Sequence, residues 1–257
     1  MHPETVQPDR FHRRVDAVIF DLGNTLIYFD GDWPEVIRES DSQLLHQLHS
    51  AGIMVDAESF ISQFQERIEA YYLEREAEFI EYTTAYLLKE LLKELGHPDL
   101  PDPIVRQALD AMYAVSQRHW RVEADAIPTL DILKQQGYRL GLISNAGDDH
   151  DVQTLIDIAG VRSYFDFIVS SAAVGIRKPN PAIFLMAAAQ MGVKPSRCAM
   201  VGDRLGADVL GAHNAGMHAI LITRRAESAA NRAHQDTIIP DLVIATLAEL
   251  PAKLENT

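Results

Sequence analysis

Polar and charged side chains stand where several short apolar segments of this 257-residue chain end, or just before a helical pattern begins. The residues concerned are Asp21, Ser144, Lys178 and Asp203. Two carboxylates can share a hard divalent cation such as Mg²⁺, and a lysine with a hydroxyl group can hold phosphate oxygens. A carboxylate can also attack phosphorus and form an aspartyl phosphate. Together these residue types predict phosphoryl-transfer chemistry centred on Asp21.

Taken singly, each of these residues has a simpler role. An Asp or Ser after a strand often caps a turn, and a Lys before a helix is usually solvated. The functional interpretation depends on their common location. Ligands of open α/β sheets bind beyond the carboxyl ends of the strands, near the switch in strand order. All four residues fall on that rim of one predicted sheet.

The segments that must position these side chains are short, apolar and partly β-branched, as expected for strands buried on both faces. They comprise residues 15–22, 138–144, 165–171, 198–202 and 218–223, with a weaker run at 241–246. Helical patterns separate them at 127–136, 181–190 and 208–215. This alternation predicts right-handed βαβ units and an α/β fold with a doubly wound, Rossmann-like parallel sheet.

The stretch 31–118 interrupts the alternation with amphipathic segments whose apolar residues recur at three- and four-residue spacing. These segments are 36–49, 57–73, 82–95 and 103–115. We interpret the stretch as an inserted α-helical cap domain. The predicted division is a flexible N-terminal tail (1–14), an α/β core (15–30 and 119–257) and the helical cap (31–118).

The formal net charge of −14 limits the classes of partner. A surface this acidic repels nucleic-acid phosphates and anionic membranes, so neither is expected to bind. The polar first residues lack the apolar region of a signal peptide, and no stretch approaches the roughly 18 apolar residues of a membrane span. The single cysteine, Cys198, cannot form an internal disulfide. The expected location is the cytoplasm.

Four motifs, in this order, resemble those of the haloacid dehalogenase-like hydrolase superfamily, in its subgroup with a helical C1-type cap. They are FDLGNTL (20–26), LISNA (142–146), GIRKPNPAIF (175–184) and VGDRLGADVLGAHNAGM (201–217). The resemblance covers nearly the whole chain from residue 15 onward. It implies a Mg²⁺-dependent phosphohydrolase that acts on a small phosphorylated metabolite.

The resemblance also implies a role for each matching residue. Asp21 corresponds to the nucleophile and to a Mg²⁺ ligand, and the other metal ligands are the backbone carbonyl of Gly23 and the carboxylate of Asp203. The phosphate is held by Ser144 and Lys178, with help from the backbone N–H of Asn145. Asp208 corresponds to an acidic residue that orients Lys178 or a metal-bound water.

Gly23 departs from the pattern, because most phosphatases of this superfamily carry there a second Asp that acts as general acid and base. Such help is typically worth about 10²–10⁴-fold. Three interpretations stay open: a phosphatase with another proton donor, dehalogenase- or phosphonatase-like chemistry, or a non-catalytic phosphate-binding or regulatory protein. Without this acid, substrates with better leaving groups, such as acyl, aryl or anomeric phosphates, are expected to be favoured.

The inserted domain is expected to close over the site and contact the leaving group. Candidate residues near its hinges are Tyr28, Asp30, Trp33, His119 and Trp120. Lys89 and Lys93 could serve phosphonatase chemistry, but they fall on a helical face that is expected to be exposed to solvent. The aromatic and acidic helix predicted at 64–82 is a candidate for the cap core or for a homodimer face. Receiver domains, which also accept phosphate on Asp, are much shorter and lack an inserted helical domain.

Overall fold

A central parallel sheet dominates the computed structural model, which describes residues 15–255 except for the side chains of residues 72–78. The predicted tail, 1–14, lies outside the described residues. The strands are β1 (Ala17–Phe20), β2 (Ile27–Phe29), β3 (Trp120–Val122), β4 (Arg139–Ser144), β5 (Phe167–Ser170), β6 (Cys198–Gly202), β7 (His218–Ile222) and β8 (Leu242–Ile244). Six of them form the parallel sheet, in the order β5-β4-β1-β6-β7-β8.

Strand β1 lies at the centre of the sheet and is buried on both faces. Val18 and Phe20 point to one apolar cluster, whereas Ala17 and Ile19 point to another on the opposite face. This arrangement follows from the two-residue period of a strand, combined with an unbroken apolar sequence. The predicted doubly wound α/β sheet is confirmed.

Helices cover both faces of the sheet. In chain order the α-helices are α1 (Trp33–Ser50), α2 (Ala57–Glu78), α3 (Thr84–Glu94), α4 (Asp102–Gln117), α5 (Ala126–Gln135), α6 (Asp149–Ile158), α7 (Ser171–Val174), α8 (Pro181–Gln190), α9 (Leu210–Asn214), α10 (Ala229–His234) and α11 (Leu250–Glu255). Helices α5, α6 and α11 pack on one face, and α8 and α9 pack on the other. None of the described helices combines the length and the apolar character needed to cross a membrane.

Helices α1–α4, here called the helical unit, surround an apolar cluster of their own. Its most deeply buried members include Leu44, Phe64, Leu88 and Leu109, one from each helix. The unit is inserted between β2 and β3, which pair as a separate antiparallel ribbon. A cluster distinct from those on the sheet is what a separately packed domain requires, which supports the predicted division at 31–118.

Three local features differ from the sequence prediction. The ribbon of β2 and β3 was not predicted, because each strand has only three residues. The predicted helix 64–82 is wrong at its end, since α2 stops at Glu78 and Phe79 has a positive φ of 55°. The helix predicted at 208–215 is preceded by a π-helical turn, Leu205–Val209, which carries Asp208. The π-helical turn matters for the candidate site because it positions Asp208.

Candidate active site

The order of strands brings three of the predicted site residues to one edge of the sheet. Strand β1 lies between β4 and β6, and Asp21, Ser144 and Asp203 stand at or just after the carboxyl ends of these strands. All three residues are buried, with at most 8% of their surface exposed. The location matches the switch point of a doubly wound sheet, where ligands are expected to bind.

A lysine ammonium lies within the cluster of carboxylates formed at this edge. Lys178 Nζ donates to Asp21 Oδ1 and to Asp208 Oδ1, both at 2.7 Å, and to the backbone oxygen of Ile143 at 3.0 Å. Oxygen atoms of Asp21, Asp203 and Asp208 all lie within 4.8 Å of one another. The sequence placed these residues on one rim, and the structure brings them into direct contact.

The pKa values of this cluster reflect its burial first and the balance of charge within it second. Burial, partly offset by Lys178, raises the pKa of Asp21 to about 6. Burial together with Asp21 and Asp208 raises the pKa of Asp203 to about 8. Burial disfavours the charged form of Lys178, yet Asp208 and Asp21 outweigh it and raise its pKa. One ammonium is therefore too little to balance three carboxylates in this buried setting.

The composition of the cluster suits a hard divalent cation. All the candidate ligand atoms are carboxylate oxygens, which Mg²⁺ prefers. Among the described residues, none donates a hydrogen bond to the carboxylate of Asp203. Both oxygens of Asp208 already accept, from Lys178 and from the backbone N–H of Arg204 at 3.0 Å. Both oxygens of Asp21 accept as well, from Lys178 at 2.7 Å and from Thr25 Oγ1 at 3.4 Å, so Asp203 has the most coordinating capacity left.

The lysine is held in place by a side chain whose role the sequence did not reveal. The Asn145 side chain accepts from the backbone N–H of Lys178 at 2.8 Å and donates to its backbone oxygen at 2.9 Å. The sequence had assigned Asn145 only a backbone contact with phosphate. Gly202 leaves room for the carboxylate of Asp208, because a Cβ there would lie 2.2 Å from Asp208 Oδ2. Only glycine lets Asp208 approach this closely.

A second buried asparagine fixes the loop that carries Asp203. Asn231 Nδ2 donates to the backbone oxygens of Asp203 at 2.6 Å and of Ala226 at 2.7 Å. Its Oδ1 accepts from the backbone N–H of Leu205 at 2.8 Å. Sequence reasoning missed Asn231, which comes from α10 and is separated from Asp203 by 28 positions.

Aromatic rings lie close to Gly23, where the second Asp of the resembled motif would stand. A Cβ at Gly23 would lie 3.7 Å from the Trp120 ring, an ordinary contact distance. Trp120 packs edge to face on Phe29 and Trp33, and the rings of Phe29 and Trp33 stack with their centroids 3.8 Å apart. Two of the hinge candidates, Trp33 and Trp120, thus form a wall beside the candidate nucleophile's loop.

The other hinge candidates lie on the same side of the molecule but have structural contacts. Arg225 stacks over the Tyr28 ring at 3.9 Å, and His119 Nδ1 lies 3.3 Å from the backbone oxygen of Asp30. Lys89 and Lys93, the lysines considered for phosphonatase chemistry, are exposed on α3. They form ion pairs with Asp102 and Glu90, respectively.

The segment between α2 and α3 contacts the loop that carries Lys178. Glu81 accepts from Tyr71 Oη and from Ser171 Oγ, both at 2.6 Å, and lies 3.3 Å from Arg177 Nε. Backbone bonds join Glu81 to Gly175 at 3.1 Å and Arg177 to Phe79 at 3.1 Å. This buried contact, which we call the Glu81 contact, joins the helical unit to the residue that precedes Lys178.

Comparisons with known proteins agree with this geometry. A family model described as haloacid dehalogenase-like hydrolase matches residues 15–216. The chain is 30% identical to a glyceraldehyde 3-phosphate phosphatase of Methanopyrus kandleri, over 92% of this chain and 95% of the relative. It is 28% identical to a phosphoserine phosphatase of Thermus thermophilus, over 84% and 78%. The solved structure of a 2-haloacid dehalogenase from Pseudomonas syringae superposes with a TM-score of 0.65, at 26% identity, over 94% and 99%.

Proposed function

Because the chain belongs to the haloacid dehalogenase-like hydrolases, we propose that it is a Mg²⁺-dependent phosphohydrolase that acts on a small phosphorylated metabolite. The observation that carries the proposal is the contact of Lys178 with Asp21 and Asp208, beside Asp203. Dehalogenases of the family lack the Gly-Asp pair that stands here at 202–203, and their chemistry needs no metal. The relatives named as phosphatases support the same assignment.

The chemistry requires two displacements at phosphorus. A carboxylate oxygen of Asp21 attacks the phosphorus of a monoester, the bond to the leaving oxygen breaks, and that oxygen takes a proton from water to leave as an alcohol. Water then attacks the phosphorus of the aspartyl phosphate, which releases inorganic phosphate and restores the Asp21 carboxylate. The contact with the Lys178 ammonium favours the ionised form of Asp21, which is the form that attacks phosphorus.

The remaining residues bind and neutralise the phosphoryl group. Lys178 and Ser144 hold its oxygens, the backbone N–H of Asn145 assists, and Asp208 keeps Lys178 oriented. Asp21, Asp203 and the Gly23 carbonyl would hold Mg²⁺, which when bound neutralises negative charge on the transferring group. Gly23 provides no proton donor, so the leaving oxygen departs without help from that position.

The helical unit would act as the cap that covers this site. It is joined to the sheet through the β2–β3 ribbon and through the Glu81 contact, and it places Trp33 beside Trp120 at the mouth of the site. A domain that covers the site in this way excludes water and contacts the leaving group of the substrate. The proposed division of the chain therefore remains 31–118 for the cap and 15–30 with 119–257 for the core.

A panel of phosphate esters, assayed with and without Mg²⁺, tests the proposal. We expect Mg²⁺-dependent release of phosphate, and a loss of at least ~10³-fold in Asp21→Asn because the nucleophile is gone. Asp99→Asn, at an exposed turn after α3, is the matched control and should keep full activity. Turnover that survives in Asp21→Asn would overturn the mechanism. Inactivity of the wild type on the whole panel would favour a non-catalytic phosphate-binding protein.

A further inference from the structure

The helical unit contains a cavity of about 400 Å³ next to the candidate site. Its wall is mainly apolar and aromatic, with contributions from Phe64, Ile68 and Met112. Asp41 of α1 and Gln65 of α2 are among the polar side chains that also line it. A largely apolar pocket with a few polar groups is the usual form of a small-molecule site.

Asp41 is the unusual member of this wall. It is 5% exposed, and both of its carboxylate oxygens accept from Gln65 Nε2, at 2.8 and 3.0 Å. Among the described residues, no Lys, Arg or His pairs with Asp41 or lines the cavity. A buried carboxylate that has only an amide partner is costly to keep, and each oxygen still has a lone pair to offer. Consistent with this, burial raises the pKa of Asp41 to about 6.

Two residues of the cavity wall connect it to the candidate site. Gly147 lines it and follows Asn145, which holds Lys178, by only two residues. Trp33 also lines it and packs edge to face on Trp120, whose ring lies against Gly23. A leaving group attached to a phosphate at Lys178 and directed along this wall would enter the space that Asp41 borders.

We propose that this cavity binds the leaving alcohol of the substrate and that Asp41, oriented by Gln65, pairs there with a protonated amine on that alcohol. The inference rests on the proposed phosphatase function and narrows its substrate class to phosphomonoesters of amino alcohols. The substrate then has an anionic end that matches Lys178 and a cationic end that matches Asp41. An ammonium has three donors and no acceptor, and so suits the carboxylate lone pairs that Gln65 leaves available.

This substrate class also fits the missing acid at Gly23. A protonated amine withdraws electrons from the neighbouring carbon and lowers the pKa of the leaving alcohol. The alcohol therefore departs more easily without a protein acid, as expected for a site where Gly23 replaces the usual Asp. The pairing of Asp41 with the amine would keep that amine protonated in the cavity.

Two nearly isosteric esters test the inference: phosphoethanolamine, with an ammonium, and 2-hydroxyethyl phosphate, with a hydroxyl in its place. We expect the wild type to show a kcat/KM at least ~10-fold higher for phosphoethanolamine, because a site that pairs a buried charge discriminates strongly. In Asp41→Asn that ratio should fall toward one. Asp99→Asn, exposed on the same helical unit, should keep the wild-type ratio.

A wild-type enzyme that hydrolyses both esters equally, or an unchanged ratio in Asp41→Asn, would overturn the inference and leave the phosphatase proposal standing. 4-Nitrophenyl phosphate, which has no amine and a good leaving group, reports on the phosphatase proposal alone. If no ester is hydrolysed, calorimetric titration of both esters into Asp21→Asn decides the question. Binding of phosphoethanolamine at least ~10-fold tighter supports the cavity assignment, and equal affinities contradict it.

Discussion

Asp21 and Asp41 are both buried aspartates whose pKa is raised to about 6, yet their surroundings differ in kind. Asp21 has an ammonium at 2.7 Å and other carboxylates within 4.8 Å. Asp41 has only an amide, at 2.8 and 3.0 Å. In the first case burial and the carboxylate of Asp208 raise the pKa while the Lys178 ammonium lowers it, and in the second burial acts almost alone.

The difference shows what each site still lacks. The cluster at the sheet edge contains its own cation and has excess negative charge, so it suits a divalent metal and a phosphate together. The cavity in the helical unit has a negative charge and no described cation, so it suits a positively charged group. Similar pKa values therefore indicate different ligands once the neighbours are known.

Removing the Lys178 ammonium should have the largest effect, because it lowers both the stability and the activity of the sheet-edge site. In Lys178→Met, the carboxylates of Asp21 and Asp208 lose a buried partner, which costs about 3–5 kcal/mol of the free energy of unfolding. Phosphatase activity should fall by about 10²–10³-fold as well, since the phosphate loses a charged contact. Urea unfolding and steady-state kinetics measure the two effects.

Lys89→Met is the matched control, because Lys89 pairs with Asp102 on the surface of α3, where such pairs contribute at most about 1 kcal/mol. Equal losses of stability in the two variants would show that the ion pairs of Lys178 do not stabilise the fold as their burial implies.

Placing an acid at Gly23 should supply the proton donor that the sheet-edge site lacks. The backbone there is not in the left-handed region, and a Cβ would be in ordinary contact with Trp120, so a side chain fits. We expect Gly23→Asp to raise kcat for simple alkyl phosphates by up to ~10²-fold, and to have little effect on acyl or aryl phosphates. Steady-state rates across leaving groups of different pKa provide the measurement.

Gly23→Asn, similar in size but unable to transfer a proton, is the control and should show no gain. If a folded Gly23→Asp variant also shows no gain, another group already transfers the proton.

Neutralising Asp41 should change stability with a defined pH dependence. Between pH 3.8 and about 6 the folded protein holds a proton that the unfolded chain releases, so the contribution of Asp41 to stability falls as pH rises through this window. Asp41→Asn should therefore be more stable than the wild type by about 1–3 kcal/mol at pH 8. The gain should vanish near pH 4, as measured by urea unfolding at both pH values.

Asp99→Asn, at an exposed position, should show no such pH-dependent gain. A loss of stability at pH 8 in Asp41→Asn would mean that Asp41 already has a strong stabilising partner, contrary to the inferred amine site.

The sequence predicted the sheet and its functional edge because both follow from local patterns. Apolar runs ending in Asp21, Ser144 and Asp203 define buried strands, and parallel strands bring their carboxyl ends to one edge. The sequence placed Lys178 on the same rim as Asp21, but neither its patterns nor the family resemblance predicted their direct contact across 157 residues. Periodicity along the chain contains no information about such a contact.

The side-chain roles that were missed share one property: the partners are distant in sequence. Asn145 reaches Lys178 across 33 positions, Asn231 reaches Asp203 across 28, and Asp41 meets Gln65 across 24. Asparagine and aspartate are also common in turns and at helix caps, so their identity alone gives no signal. A polar residue on the apolar face of a predicted helix, as at Asp41 in α1, is the one clue that the sequence offered.

The Glu81 contact has a mechanical consequence for the helical unit. The two covalent connections of the unit leave the ribbon side by side, at Phe29 and Trp120, and a body attached at two adjacent points can swing about the line between them. Glu81 adds a further point of attachment, together with the bonds of Thr84 to Gly147, Arg106 to Asp148 and Gln117 to Asp151, and these contacts restrict the orientation of the unit. Swinging it open must separate Glu81 from Arg177. Because Arg177 adjoins Lys178, the Glu81 contact links the position of the helical unit to the backbone that presents the ammonium.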